Sequence, residues 1–196
     1  MKINRKKIII ALFLIFFGGV GRMLLLGLPN VETLTVSALL AGSMLGGMYS
    51  VLVPLGIVVL TDVLIGNNSI LFFTWSAWIV IGIFGLAARS NEKTNINFVI
   101  KMTGLGLASS LFFYVYTNFG VWLLWPLYAH DIFGLIQCYI MGLPFLRMSI
   151  IGNLIIVPSV SLVTVFCVKN KYYFSKILSY ASRKICRKRL EERLEG

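Results

Sequence analysis

The stretch IIIALFLIFFGGVG, residues 8–21, contains nothing that can carry a charge, and it opens the first of six apolar runs. A run this long belongs either in the core of a large soluble protein or in hydrocarbon. In 196 residues, 58% are hydrophobic and only 13% charged, against roughly 25% charged in an ordinary soluble domain. A soluble fold of this size has too little interior to hide that much apolar surface, and the mean hydropathy of +0.88 agrees. The chain is expected to be an all-α polytopic membrane protein.

Crossing a hydrocarbon layer of roughly 30 Å takes about 20 residues of helix. The candidate spans are 8–27, 33–47, 49–66, 72–88, 98–117 and 147–168, which predicts a six-helix transmembrane bundle over residues 1–168. The second and third meet at Gly46, Gly47 and Met48, as in a tight hairpin. Five or seven spans are the alternatives that this short, glycine-rich pair also allows. Lys2, Arg5, Lys6 and Lys7 precede the first run as in a signal peptide, but no small-residue cleavage site follows, so the run is read as a retained helix.

Basic residues flanking spans stay cytoplasmic. Of the 18 lysines and arginines, all but Arg22 and Arg147 fall on one face if six spans are assumed. That places both termini and the loop around Arg89, Glu92 and Lys93 in the cytoplasm of a multi-pass cell-membrane protein. Segments 28–32, 67–71 and 118–146 then lie outside. An odd number of spans would put the two basic termini on opposite faces.

The outer segment TNFGVWLLWPLYAHDIFGLIQCY, residues 117–139, gathers the only histidine, His130, beside Asp131, with Trp122, Trp125, Tyr128 and Tyr139. Amphipathic rings of this kind sit at headgroup depth. Pro126 is expected to break the chain, and residues 131–142 to form a short interfacial or re-entrant helix ending before Pro144. Asn118, His130, Asp131 and Gln137 would then be open to a ligand beneath this lid.

Arg22 lies roughly 9 Å below the outer end of its run, at 1.5 Å per residue, and Asp62 interrupts the apolar IVVLTDVLIG. A charge at mid-helix costs about 2.5–3.5 kcal/mol on insertion scales, so both should turn inward and pair. Structural pairing alone explains them. The functional alternative is an outward polar pocket built from Arg22, Asn30, Glu32, Asp62, Trp75, His130, Asp131 and Arg147, suited to a small polar molecule.

No phosphate-binding loop is present, no HExxH occurs, and a single histidine cannot build the usual catalytic zinc site. Cys138, Cys167 and Cys186 match no metal motif. The chain is therefore read as a non-enzyme that needs no cofactor. Ala38, Gly42 and Gly46 recur every four residues, a spacing that lets helices approach closely. Residues 169–196 hold nine basic residues and three glutamates. Ile177, Leu178, Ala181, Ile185 and Leu190 form a rough stripe there, as in an amphipathic cytoplasmic tail lying on anionic lipid. Placement by the positive-inside rule accounts for the net charge of +11 without nucleic-acid binding.

The order IIIALFLIFFGGVGRMLLLGLPNVETLTVSALLAGSMLGGMYSVLVPLGIVVLTDVLIG, followed by FFTWSAWIVIGIFG, resembles the substrate-binding S component of energy-coupling-factor (ECF) vitamin transporters. More specifically, TNFGVWL, GLIQCYIMGLPFLRMSIIGNL and LPNVETLTVSALLAG are similar to an uncharacterised membrane family of S-component-like proteins, over about residues 8–168. The resemblance implies a subunit that captures a small metabolite or vitamin from the outer face. Outer segments around Asn30, Glu32, Trp75, Asn118, Trp122 and Tyr139 would line its site. A separate membrane coupling protein and two ATPases would supply the energy. S components commonly present A-x-x-x-A on the first helix, whereas Ala11 is followed four places on by Ile15. A non-transporting scaffold or anchor with a lipid- or partner-binding basic tail is the competing expectation.

Overall fold

The computed structural model describes residues 5–66, 70–89 and 95–194, with side chains to residue 170. Glu92, Lys93, residues 67–69 and the side chains of the tail stripe, Cys186 among them, lie outside the described residues. The described chain is all-helical: α1 (Arg5–Leu24), α2 (Leu34–Leu40) running into a π-helical turn (Ala41–Leu45), α3 (Tyr49–Ile65), α4 (Leu71–Ala87), α5 (Ile96–Leu124) and α6 (Ile132–Leu194). Three helical stretches are long and apolar enough to cross a membrane: Arg5–Leu24, Ile96–Leu124 and Ile132–Asn170. Leu34–Leu45, Tyr49–Ile65 and Leu71–Ala87 are shorter apolar helices.

Successive elements run in opposite directions. Thr33, just before α2, bonds the Gly18 carbonyl near the end of α1, while Lys7 Nζ reaches the Leu45 carbonyl at 3.0 Å. Across the α5–α6 pair, Tyr139 donates to Val115 O and Asn153 donates to the Ser110 hydroxyl. One end of the bundle thus collects the end of α1, the start of α2, the end of α3 and the α5–α6 turn. Arg5, Lys6, Lys7, Arg89 and Lys101 sit toward the other.

Helix α2 is the centre. Every residue from Leu34 to Leu40 is buried, and α1, α3, α4, α5 and α6 all contact it. A helix apolar on every side is stable only where neighbours cover every side, and LTVSALL is nearly such a helix. Small residues let the neighbours in. A Cβ on Gly85 would meet Leu39 Cα at 2.9 Å, one on Gly42 would meet Gly85 Cα at 2.8 Å, and one on Gly82 would meet Pro54 Cγ at 2.9 Å. Gly42, picked out in the sequence by its four-residue spacing, is one of these contacts. Gly46 does different work: it ends the π turn at φ 64°, a backbone state glycine tolerates and other residues avoid.

Polarity is inverted relative to a soluble protein. Ser37, Ser43, Ser50, Thr61, Asp62, Ser109, Ser110, Asn153 and Ser161 are buried, while Phe13, Phe16, Leu64, Phe72, Ile155 and Phe166 face outward. Most buried hydroxyls donate to the carbonyl three or four residues back, as Ser109 does to Leu105 O at 2.7 Å.

Two expectations need correction. Residues 118–146 are not an extended outer loop: α5 runs to Leu124 and only residues 125–131 separate it from α6. Nor does a short helix stop at Pro144, because α6 continues through both Pro144 and Pro158. Proline removes one backbone donor and strains the preceding turn, but apolar helices tolerate it where neighbouring groups compensate. Pro126 does mark a break, with Trp125 before it in the extended conformation that a following proline favours. The boundary between Val168 and Lys169 falls within a continuous helix.

Because Gly82 packs directly on the Ser50 backbone, Gly82→Ala is expected to cost about 1–3 kcal/mol by overpacking. Gly104, with nothing within 4 Å of a built Cβ, should accept alanine with no loss. Thermal unfolding of the two detergent-solubilised variants checks the contrast; equal effects would contradict the glycine packing.

Candidate functional site

Helix α1 ends near Arg22, and its side chain turns into the bundle rather than out of it. Arg22 Nη2 lies 3.0 Å from Asp62 Oδ1, Nη1 donates to Thr61 Oγ1 at 2.5 Å, and Nε lies 3.5 Å from Glu32 Oε2. Trp75 Nε1 donates to the other Asp62 oxygen at 2.9 Å. The Asp62 side chain is 2% exposed, against 17% for Arg22 and 19% for Glu32. Thus α1, the α1–α2 loop, α3 and α4 each contribute to one charged cluster. Gly21 makes room for the arrangement, since a Cβ there would run into Thr33.

Satisfaction within the cluster is uneven. Despite its close cation, Asp62 Oδ1 accepts no well-aligned hydrogen bond from the described residues. Among the described residues, Glu32 has only the longer Arg22 contact. Burial pushes the Glu32 carboxyl up to about 7, against the pull of Arg22 and with a further push from Asp62.

Beside the cluster a cavity of about 420 Å³ opens at this end of the bundle, a volume within the range of small-molecule sites. Arg22, Asn30 and Glu32 line one side. Thr74 and Trp78 come from α4; Ser110, Tyr114, Thr117 and Asn118 come from α5; Gly142 and Ser149 come from α6. Trp125 and Tyr128 enter from the α5–α6 turn. Asn30 adopts φ 57°, a left-handed state that asparagine reaches more readily than most residues.

The floor is a polar joint between α5 and α6. Ser149 Oγ donates to Ser110 Oγ at 3.0 Å, and Asn153 Nδ2 donates to the same Ser110 oxygen at 2.7 Å. Asn118 lies against Gly142, where a Cβ would come 2.9 Å from its amide carbon. In an apolar bundle such bonds align two helices.

Of the residues singled out in the sequence, Arg22, Asn30, Glu32 and Asn118 line the cavity. Asp62 lies behind Arg22 and holds it, and Trp75 in turn donates to Asp62. The remaining six, Trp122, His130, Asp131, Gln137, Tyr139 and Arg147, do not line it. Trp122 donates to Ala129 O at 2.9 Å and meets the His130 ring edge-on. Asp131 accepts the Gly134 N–H at 2.7 Å, capping the start of α6. Tyr139 packs on Tyr114 outside the cavity, and Arg147 borders a separate apolar hollow on α6. The expected pocket combining His130, Asp131 and Arg147 with the Arg22 cluster is therefore not formed: His130 and Asp131 stay in the α5–α6 turn, against Trp122 and the start of α6, and Arg147 lies farther along α6 beside a separate hollow.

Sequence reading missed Thr74, Trp78, Ser110, Thr117 and Ser149. Serine and threonine in apolar helices usually bond their own backbone, so nothing in the sequence separates wall residues from the rest. The Ser110 and Ser149 pairing becomes visible only once the α5–α6 register is known.

The chain belongs to a family of unknown function, DUF6580, whose match covers residues 2–176. Neither a curated protein nor a solved structure shows significant similarity to it.

Arg22→Ala strands Asp62 as a buried carboxylate and should cost about 3–5 kcal/mol. Removing both charges in Arg22→Ala/Asp62→Ala should be less damaging than the single change by about 0.5–3 kcal/mol. Thermal or denaturant unfolding of the four proteins in one detergent measures the coupling; additive losses would mean the ion contact contributes nothing.

Proposed function

We propose that the protein is a multi-pass membrane subunit that binds a small polar metabolite or vitamin from the outer face for uptake. The observation that carries this reading is the cavity of about 420 Å³, open at the Arg22 end and walled by polar and aromatic side chains from six parts of the chain. A polar cavity inside an otherwise apolar bundle is costly to keep unless something occupies it. The exposed phenylalanines and leucines around the bundle support a hydrocarbon surrounding. The basic residues at the opposite end support cytoplasmic termini, with the cavity facing outward.

In this reading six spans cross the bilayer, with α2 at the centre and α1, α3, α4, α5 and α6 around it. Trp125 and Tyr128 form the mouth, polar side chains orient the ligand, and the Arg22 cluster sets its charge. The chain carries no phosphate-binding loop, so energy for release would come from separate chains, as a coupling protein with ATPases provides in the transporters it resembles. The unbroken course of α6 to Leu194 favours a second role, in which the basic end anchors the protein to lipid or to a partner.

Purified protein is expected to show a ligand-dependent rise in melting temperature within a panel of vitamins and small metabolites. Trp125→Ala and Tyr128→Ala should weaken that ligand at least tenfold with little change in the free protein's stability. A flat response across the panel, with deletion of residues 170–196 abolishing function instead, would favour the anchor. Sidedness is tested separately: in a cysteine-free background, a cysteine at Leu127 should react with an impermeant thiol reagent added outside intact cells. Reaction only after lysis would reverse the topology.

A further inference from the structure

Resting on the reading of the cavity as a ligand site, we propose that it takes a small organic cation: an ammonium-bearing molecule with an aromatic-sized apolar body, its charge settled against Glu32.

Charge balance is the first support. The cluster sets one guanidinium against two carboxylates. Among the described residues, no other lysine, arginine, aspartate, glutamate or histidine lines the cavity. Ionised Glu32 therefore leaves an excess negative charge in a poorly solvated place, where an added cation is strongly favoured. Arg22 does not offset this, because two of its nitrogens are already committed to Asp62 and Thr61. Glu32, held only at 3.5 Å and accepting no hydrogen bond from the described residues, is the carboxylate left to a ligand. An anion would face both acids and find the guanidinium engaged.

Ring chemistry is the second support. Trp78, Phe113, Tyr114, Trp125 and Tyr128 line the same cavity. Aromatic faces attract ammonium groups, most strongly where water is excluded, and they also cover an apolar body.

Binding should depend on pH through Glu32. The other titratable groups on the wall are Arg22 from α1, Tyr114 from α5, Tyr128 from the turn and Cys138 from α6. Asp62 of α3 lies behind, and α2 and α4 bring none. With the Glu32 carboxyl pushed up to about 7, it is ionised at pH 8 and protonated at pH 5.5.

The test uses the full chain in nanodiscs and two matched sets of probes: tryptamine, tryptophol and indole-3-acetate, and phenethylamine with its alcohol and acid counterparts. Calorimetric titration at pH 8 should show the amines binding at least tenfold tighter than the alcohols, with the acids weakest. The preference should shrink at least fivefold at pH 5.5 and vanish in Glu32→Gln, which should still bind the alcohols. If Glu32→Gln does not fold, the wild-type pH series alone decides. Alcohols or acids binding best at pH 8, or an amine preference indifferent to pH, would overturn the cation assignment while leaving the cavity a ligand site. No binding by any probe, together with no response to the metabolite panel, would overturn both.

Discussion

Asp62 is a carboxylate almost sealed from solvent within an apolar helix, and that constraint organises the upper half of the molecule. A lone charge there would cost several kcal/mol. Arg22 from α1 lies 3.0 Å away, Trp75 from α4 donates to the second oxygen, and Thr61 on the next residue of α3 takes another guanidinium N–H. Each contact comes from a different direction, so settling one charge also sets the relative heights of three helices. Glu32 is the remainder of that arithmetic. Arg22 cannot neutralise two acids, and the one nearer the cavity stays loosely held.

Below this cluster the bundle is held by fit rather than by charge. Glycines on α4 and on the π turn let backbones touch around α2, and hydroxyls satisfy themselves on their own helices. Dispersion between closely spaced backbones is the main attraction left to helices whose outer surroundings are as apolar as their side chains. Polar pairing between side chains of different helices is concentrated at a few places, among them the Arg22 cluster, the Ser110–Ser149–Asn153 joint and the Ser76–Tyr116 contact. The first two border the cavity.

Much of this could be read in advance, and the pattern of what could not is informative. Helix positions followed from apolar run length, since the runs begin and end within a few residues of α1 to α4. The convergence of Arg22, Glu32 and Asp62 followed from the cost of burying charge. The reading went astray at residues 118–146, where aromatic and polar residues suggested a loop. Those side chains instead decorate the last turns of α5 and the first of α6, because helical hydrogen bonding is satisfied internally whatever the side chains are. Pro144 misled for a related reason: one missing donor is a small loss in a helix this long. The serines of the cavity floor were illegible because their partners lie on another helix, and pairing across helices depends on register.

The length of α6 has a mechanical consequence. At 1.5 Å per residue its 63 residues form a rod of roughly 95 Å, and only its first part is gripped by α5. Near its start it carries Cys138, Gly142 and Ser149 on the wall of the cavity; its far end lies well past the other helices. A tilt of about 5° pivoted near the cavity would swing that far end by several ångströms, on the order of 6 Å for the roughly 70 Å arm beyond the pivot. The same backbone that walls the cavity is thereby a lever whose far arm ends well away from it.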